Sequence, residues 1–274
     1  MLLTPVFLLS AVAERIEVHG HRGARAVLPE NTVPAFEHAI AAGADAIELD
    51  VVVTKDNVPV VSHDPVLDAA ICTGPSGRAV VRQLTLAELR EWDCGSKKNP
   101  AFPKQRPVPG ARIPTLDEVL SLAGRGGFRF NIETKVSPRW PEYAPAPEEF
   151  ARLVLEAIRR HKLEPRVIMQ SFDFRVLRAM RRLAPEIRLA ALFETDQRDF
   201  AAIAREAQAG IASPQHRLLT AEKVQAAHAA GILVVTWTAN TPEEWDRLIA
   251  AQVDGIITDD PEALIRYLKE KGLR

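Results

Sequence analysis

From Ile16 onward the chain alternates short apolar runs with longer amphipathic stretches, and the repeat of the pattern switches between about 2 and about 3.6 residues. The short runs predict strands over 16–19, 46–53, 128–133, 167–171, 188–192, 210–213, 233–237 and 255–258. Between them the helical period predicts helices over 32–42, 116–123, 147–161, 174–183, 199–207, 220–230, 242–251 and 261–271. Thr220 and Asp260 stand where a side chain caps a helix start, and Pro261 follows as a first-turn proline. Gly43, Gly231 and Gly272 stand where a left-handed residue ends one. Eight strands, each followed by a helix, predict a (β/α)8 TIM barrel. A doubly wound open sheet is the rival, and the uninterrupted series favours closure.

One segment breaks this rhythm. Between His63 and Leu116 the helical period occurs only over 85–92, and the rest carries Pro75, Pro100, Pro103, Pro107 and Pro109. We read this as an insertion over about 65–113 in a barrel domain spanning 14–274. Its second half is basic, with Lys97, Lys98, Lys104, Arg106 and Arg112, which fits either a solvated loop or a lid that attracts an anion. The opening run, MLLTPVFLLSAVA, ends in Ala11-Val12-Ala13 as a secretory signal does, yet lacks a basic start. It reads equally as an apolar element closing the bottom of the barrel, so localisation stays open between cytoplasm and export.

Composition narrows the class. The 274 residues hold 35 Lys+Arg against 36 Asp+Glu, a formal net charge of −1, so no basic field serves nucleic acid. Hydrophobic residues make up 47%, enough for a large core, but no run reaches the roughly 18 residues of a membrane span. The two cysteines, Cys72 and Cys94, exclude a disulfide scaffold or a cysteine-rich zinc module; they could pair or stay as buried thiols.

Reactive groups of a barrel belong at the C-terminal ends of its strands. The first strand runs into His21-Arg22-Gly23. The second holds Glu48 and Asp50 within an apolar run, two apart and therefore on one face. The third reads Asn131-Ile132-Glu133-Thr134-Lys135, with Glu133 and Lys135 together. Buried carboxylates are costly unless compensated, so Glu48, Asp50 and Glu133 converging at a barrel mouth point to one hard divalent cation, Mg2+ or Ca2+. Ion pairs with Arg22 and Lys135 are the structural alternative. His63, after the apolar run of Val60 and Val61, brings a second histidine to the same rim, and two histidines beside a metal suit a general acid and a general base. Arg22 and Lys135 suit a phosphate. His19 is read as barrel lining. No phosphate loop, nucleophile elbow or dinucleotide fingerprint is present.

These residues lie in an ordered series: His21-Arg22-Gly23, Pro29-Glu30-Asn31-Thr32, Gly43-Ala44-Asp45, Glu48-Leu49-Asp50-Val51, Val61-Ser62-His63-Asp64, Asn131-Ile132-Glu133-Thr134-Lys135, Val235-Thr236-Trp237 and Gly255-Ile256-Ile257-Thr258-Asp259-Asp260-Pro261. The series resembles the glycerophosphodiester phosphodiesterase family across nearly the whole chain from Glu14. The resemblance implies a TIM barrel with a segment inserted after the His-Asp pair. It implies His21 and His63 as acid and base, Glu48, Asp50 and Glu133 as metal ligands, and Arg22 and Lys135 as phosphate contacts, with Gln170, Phe172 and Trp237 lining the pocket. It also implies a small-molecule substrate, a glycerophosphodiester cleaved to sn-glycerol 3-phosphate and an alcohol such as choline or ethanolamine. Glu30 is read as a cap of the first helix rather than a ligand. Cleavage of lysophospholipids, phospholipase-D-like action, or a non-catalytic phosphate-binding barrel are the other readings. The preferred alcohol, the choice of cation and the oligomeric state are left open, and no stable membrane insertion is expected.

Overall fold

The computed structural model describes residues 15–75 and 78–274; the apolar opening run lies outside the described residues. In chain order the strands are β1 (Glu17–Gly20), β2 (Ala46–Val53), β3 (Pro59–Val61), β4 (Arg129–Thr134), β5 (Val167–Ser171), β6 (Arg188–Phe193), β7 (Ile211–Pro214), β8 (Leu233–Thr236) and β9 (Gly255–Thr258). The α-helices are α1 (Val33–Ala42), α2 (Leu86–Leu89), α3 (Leu116–Leu120), α4 (Pro147–Arg160), α5 (Phe174–Leu183), α6 (Phe200–Glu206), α7 (Ala221–Ala229), α8 (Pro242–Ala250) and α9 (Pro261–Glu270). The sheet runs β1-β9-β8-β7-β6-β5-β4-β2-β3, and the further pairing of β1 with β2 closes it into a parallel (β/α)8 barrel.

Each helix carries its start and stop in its own sequence. In α4, Pro147 opens the first turn beside Glu148 and Glu149, and Arg159 and Arg160 close the last, so both charge pairs complement the helix dipole. Phe150, Val154, Ala157 and Ile158 form its buried face. Thr220 and Asp260 cap α7 and α9 as the pattern predicts, and Gly43 ends α1 at φ 90°. Helix α3 stops at Leu120 and passes into a tighter turn over Ser121–Arg125, three residues short of the predicted end, where Gly124 and Gly126 follow.

Two layers of side chains result from the strand period. Outward residues such as Ile47, Leu49, Phe130, Ile132 and Met169 join the helices in the main core. Inward residues divide the barrel interior. Ile168, Ala190, Ile211, Val235 and Ile257, from β5 to β9, form an apolar half. β1, β2 and β4 fill the other half with His19, Glu48, Asp50, Asn131 and Glu133, all buried. His19 is the expected lining residue, with Glu17 Oε2 3.2 Å from Nε2 and Asn131 Nδ2 3.3 Å from Nδ1.

At the barrel floor, burial pushes the Glu17 carboxyl up, but its hydrogen bond to His19 and the charges of His19 and Arg129 outweigh this, and its pKa falls from 4.5 to about 2. A depressed carboxyl contributes stability that is complete above 4.5 and is lost as the pH falls toward about 2. Glu17→Gln is therefore expected to lower Tm at neutral pH and to flatten the Tm profile across that acid window. Parallel profiles for the two proteins would refute this role.

The apolar run before His63 is itself a strand, which the sequence pattern did not separate. β3 pairs antiparallel with β2 (Val51 with Val61, Val53 with Pro59) and continues the sheet outside the barrel. The following segment packs around its own cluster of Val52, Val60, Leu67, Val81, Leu89 and Ile113. The disulfide Cys72–Cys94 lies in that cluster and closes a 22-residue separation, so the pairing alternative holds. The predicted helix there is reduced to α2, capped by Thr85 and Glu88.

Candidate active site

The C-terminal ends of the strands enclose a cavity of 370 Å³ lined by His21, Arg22, Glu48, His63, Glu133, Lys135, Gln170, Phe172 and Trp237, together with Arg25, Leu192, Glu194, Thr238 and Ile257. Every residue the sequence pointed to lines it except Asp50, which is fully buried beside them.

The β1–α1 loop shapes the polar side. Arg22 and Asn31 both adopt left-handed backbone, at φ 49° and 56°, a conformation that costs energy in non-glycine residues and clusters at functional sites. Between them Gly23 sits at φ 85°, where a Cβ would stand 2.6 Å from the Ala35 carbonyl carbon. This folding aims the Arg22 amide at Glu48 Oε2 (2.8 Å), and its guanidinium at Glu30 Oε1 (2.6 Å) and Asp50 Oδ2 (3.1 Å). The Asn31 amide donates to Asp50 Oδ2 at 2.8 Å.

The register of β2 on β4 sets Asp50 opposite Glu133 and Glu48 opposite Asn131. One oxygen from each of Glu48, Asp50 and Glu133 lies within 4.8 Å of the others. Burial, with the charges of Asp50 and Glu133, pushes the Glu48 carboxyl well above its ordinary value. Burial also acts to raise Asp50, but the charges of Arg22, Lys135 and His63 outweigh it and hold this carboxyl far below the usual range. Lys135 bridges Glu133 (2.6 Å) and Asp50 (3.5 Å). The ion pairs of the structural alternative thus exist, but they do not complete the site. Asp50 Oδ1 is buried with no hydrogen-bond partner among the described residues, and Glu48 makes no ion pair there, its carboxyl crowded by Asp50 and Glu133. An all-oxygen trio with an orphaned acceptor and carboxylates crowded at one point suits a hard divalent cation. Gln170 holds this geometry, donating to Glu48 Oε1 (3.1 Å) while accepting from Asn131 Nδ2 (3.2 Å).

The two histidines differ in support. His63 Nδ1 lies 2.9 Å from Asp64 Oδ1 on the open rim, with a third of the side chain exposed. His21 Nδ1 lies 2.5 Å from Asp259 Oδ1. A carboxylate only accepts, so Nδ1 carries the proton and Nε2 is the free nitrogen of the neutral ring. Asp259 is in turn held by Asn240, whose Nδ2 donates to Oδ2 (2.7 Å) and whose Oδ1 accepts from the Asp259 amide (2.9 Å). Burial and the Arg22 charge push the His21 pKa down against the raising effect of Asp259.

Sequence reasoning missed Asp259, Asn240 and Asn31 as site residues, although Asn31 and Asp259 lie in its motifs. Glu30 departs from expectation. It caps nothing: Thr32, the residue before α1, donates its hydroxyl to the Pro29 carbonyl, and the Glu30 carboxylate instead pairs with Arg22 and Arg25. The basic half of the insertion is not a lid lining either. Lys97 and Lys98 bond backbone carbonyls of the insertion itself, while Gln105 donates to the carbonyls of Arg25 and Leu28 and Asn99 to Glu30. The Phe102 ring lies 4.7 Å from the Arg25 guanidinium. The insertion therefore braces the loop that carries Arg22.

The profile of the glycerophosphoryl diester phosphodiesterase family matches residues 21–263, which include every element of this cavity. The chain belongs to that family. A glycerophosphodiester phosphodiesterase of Caldanaerobacter subterraneus subsp. tengcongensis is 36% identical over 93% of this chain and 98% of its own. One from Bacillus subtilis is 33% identical over 93% of this chain and 87% of its own. A crystal structure of a Silicibacter pomeroyi protein assigned to the same diesterases superposes with TM-score 0.89, at 34% identity over 94% of this chain and 95% of that one. Membership of this family makes the chain a phosphoric diester hydrolase.

Proposed function

We propose that the chain hydrolyses deacylated glycerophosphodiesters to sn-glycerol 3-phosphate and an alcohol, with His21 and His63 as the acid–base pair. The carrying observation is the His21–Asp259 contact, with His21 lining the same cavity as Glu48 and Glu133, because a phosphate-binding barrel without chemistry needs no histidine held in one tautomer. Glu48, Asp50 and Glu133 would hold one Mg2+ or Ca2+, which supplies charge neutralisation at a non-bridging phosphate oxygen.

The remaining roles follow from the side chains. Arg22 and Lys135, already oriented by carboxylates, meet the phosphate as preorganised cations. One histidine takes the proton of the attacking oxygen, from water or the glycerol 2-hydroxyl, and the other returns a proton to the leaving alcohol. Asp259 fixes the His21 ring, and Trp237, whose indole N–H donates to the Ser213 carbonyl at 2.8 Å, walls the apolar side of the cavity. Phe172 meets Trp237 edge-on at 5.5 Å.

Release of glycerol 3-phosphate from glycerophosphocholine by the purified protein tests the reading. Activity that vanishes on chelation and returns with Mg2+ or Ca2+ is expected. No release from this substrate or from glycerophosphoethanolamine would overturn it.

A further inference from the structure

In the polar half of the barrel interior the hydrogen bonds run end to end, from the floor to the carboxylate trio at the mouth. Glu17 Oε2 lies 3.2 Å from His19 Nε2, and His19 Nδ1 lies 3.3 Å from Asn131 Nδ2. The same Asn131 nitrogen lies 3.2 Å from Gln170 Oε1, and Gln170 Nε2 lies 3.1 Å from Glu48 Oε1. His19, Asn131, Gln170 and Glu48 are each at most 2% exposed, so every link depends on a partner inside the protein. Packing alone does not call for an imidazole here. The residue in register with His19 on β9 is Ile257, and the apolar half of the same interior is filled by Ile168, Ala190, Ile211 and Val235.

This relay has one consistent polarity. The Glu17 carboxylate, paired with Arg129, only accepts, so in the neutral His19 ring Nε2 carries the proton and Nδ1 is the acceptor. Asn131 must then turn its NH2 toward His19, and the two hydrogens of that nitrogen serve His19 Nδ1 and Gln170 Oε1. With its oxygen engaged, Gln170 presents its own NH2 to Glu48, where a carboxylate oxygen takes a donor. Asn131 Oδ1 is left buried with no hydrogen-bond partner among the described residues, a destabilising arrangement. Turning the amide over would set that oxygen against two acceptors, His19 Nδ1 and Gln170 Oε1. Gln170 would then be free to turn its carbonyl toward Glu48, acceptor against acceptor.

We propose that His19, held in one tautomer by Glu17, is a positioning residue for the divalent-cation site: through Asn131 and Gln170 it fixes the donor that orients Glu48. The inference rests on the cation reading of the trio above. It extends that reading to Glu17, His19 and Asn131, which do not line the cavity. Partners behind a metal ligand set its orientation, and here the last of them stands at the barrel floor.

The test titrates the metal-stripped protein with Mg2+ and, separately, with Ca2+ by calorimetry, without substrate. His19→Leu keeps much of the side-chain volume and removes both ring nitrogens. It is expected to weaken cation binding about tenfold, the low end of the loss that outer partners of metal ligands produce. His19→Gln, which can donate to Glu17 and accept from Asn131, should recover most of that loss. A Kd for His19→Leu equal to wild type, whatever its Tm, overturns the proposal, and so do equal losses in the two variants. If His19→Leu does not fold, Glu17→Ala takes its place, because Glu17 is partly exposed at the floor. Releasing the His19 tautomer should then weaken cation binding about threefold, and an unchanged Kd overturns the proposal. If wild type binds neither cation, the cation reading fails and the relay is judged by NMR. The Gln170 side-chain amide signals, identified by their loss in Gln170→Glu, should shift in the variant that folds, His19→Leu or Glu17→Ala. Shifted signals uphold the positioning of Gln170, and unmoved signals overturn it.

Discussion

His21→Ala is expected to lower kcat for glycerophosphodiester hydrolysis by between about a hundredfold and ten-thousandfold, with His63→Ala in the same range. The ring of His21 lies mostly buried at the cavity wall, and its loss removes a proton-transfer group without touching the helix–sheet core. Circular dichroism and Tm should therefore stay close to wild type in both variants. Near-full activity in either one would end the paired-histidine scheme. Asp259→Asn gives a finer reading, because Asp259 is a positioning residue. Its hydrogen bond and charge both raise the His21 pKa, so removing the charge should move the His21 titration to lower pH. If His21 is the base, the acid limb of the pH–rate profile moves down. If it is the acid, the alkaline limb does. A profile with neither limb displaced would make Asp259 a structural residue only.

The second large effect concerns the carboxylate trio. Glu48→Gln is expected to reduce activity about a thousandfold, on the order of 4 kcal/mol of transition-state stabilisation. It should also abolish the rise in Tm expected of the wild type on adding Mg2+ or Ca2+. The cation-free Tm should change little, since burial beside Asp50 and Glu133 already pushes the Glu48 carboxyl toward its neutral form, which glutamine mimics. A cation-dependent rise in Tm that survives in Glu48→Gln would show that the cation binds elsewhere. Full activity of the chelated wild type would remove the cation from the reaction.

Much of the fold was legible because it is written in local pattern. The switch between strand and helix periods, the caps at Thr220 and Asp260 and the left-handed Gly43 each report a local preference, and the helices follow them. β3 escaped notice because three residues carry too little pattern to separate a strand from the turn that follows. Glu30 was misjudged for a related reason. A carboxylate before a helix reads as a cap, but its side chain is drawn to Arg22 and Arg25, whose position depends on a left-handed backbone that no local pattern announces.

The sequence by itself determined which side chains face inward, because residues two apart on a strand share a face: Glu48 with Asp50, and Glu133 with Lys135. It determined too that buried carboxylates in apolar runs need a compensating charge. Only the tertiary structure decided which of these groups meet. Closure of β1 against β9 brings Asp259 to His21 across 238 residues, and the register of β2 on β4 sets Asp50 opposite Glu133. The insertion became a brace through Gln105 and Asn99. Periodicity reports the face a residue presents; its neighbours across that face are fixed by barrel closure and strand register, which are properties of the whole chain.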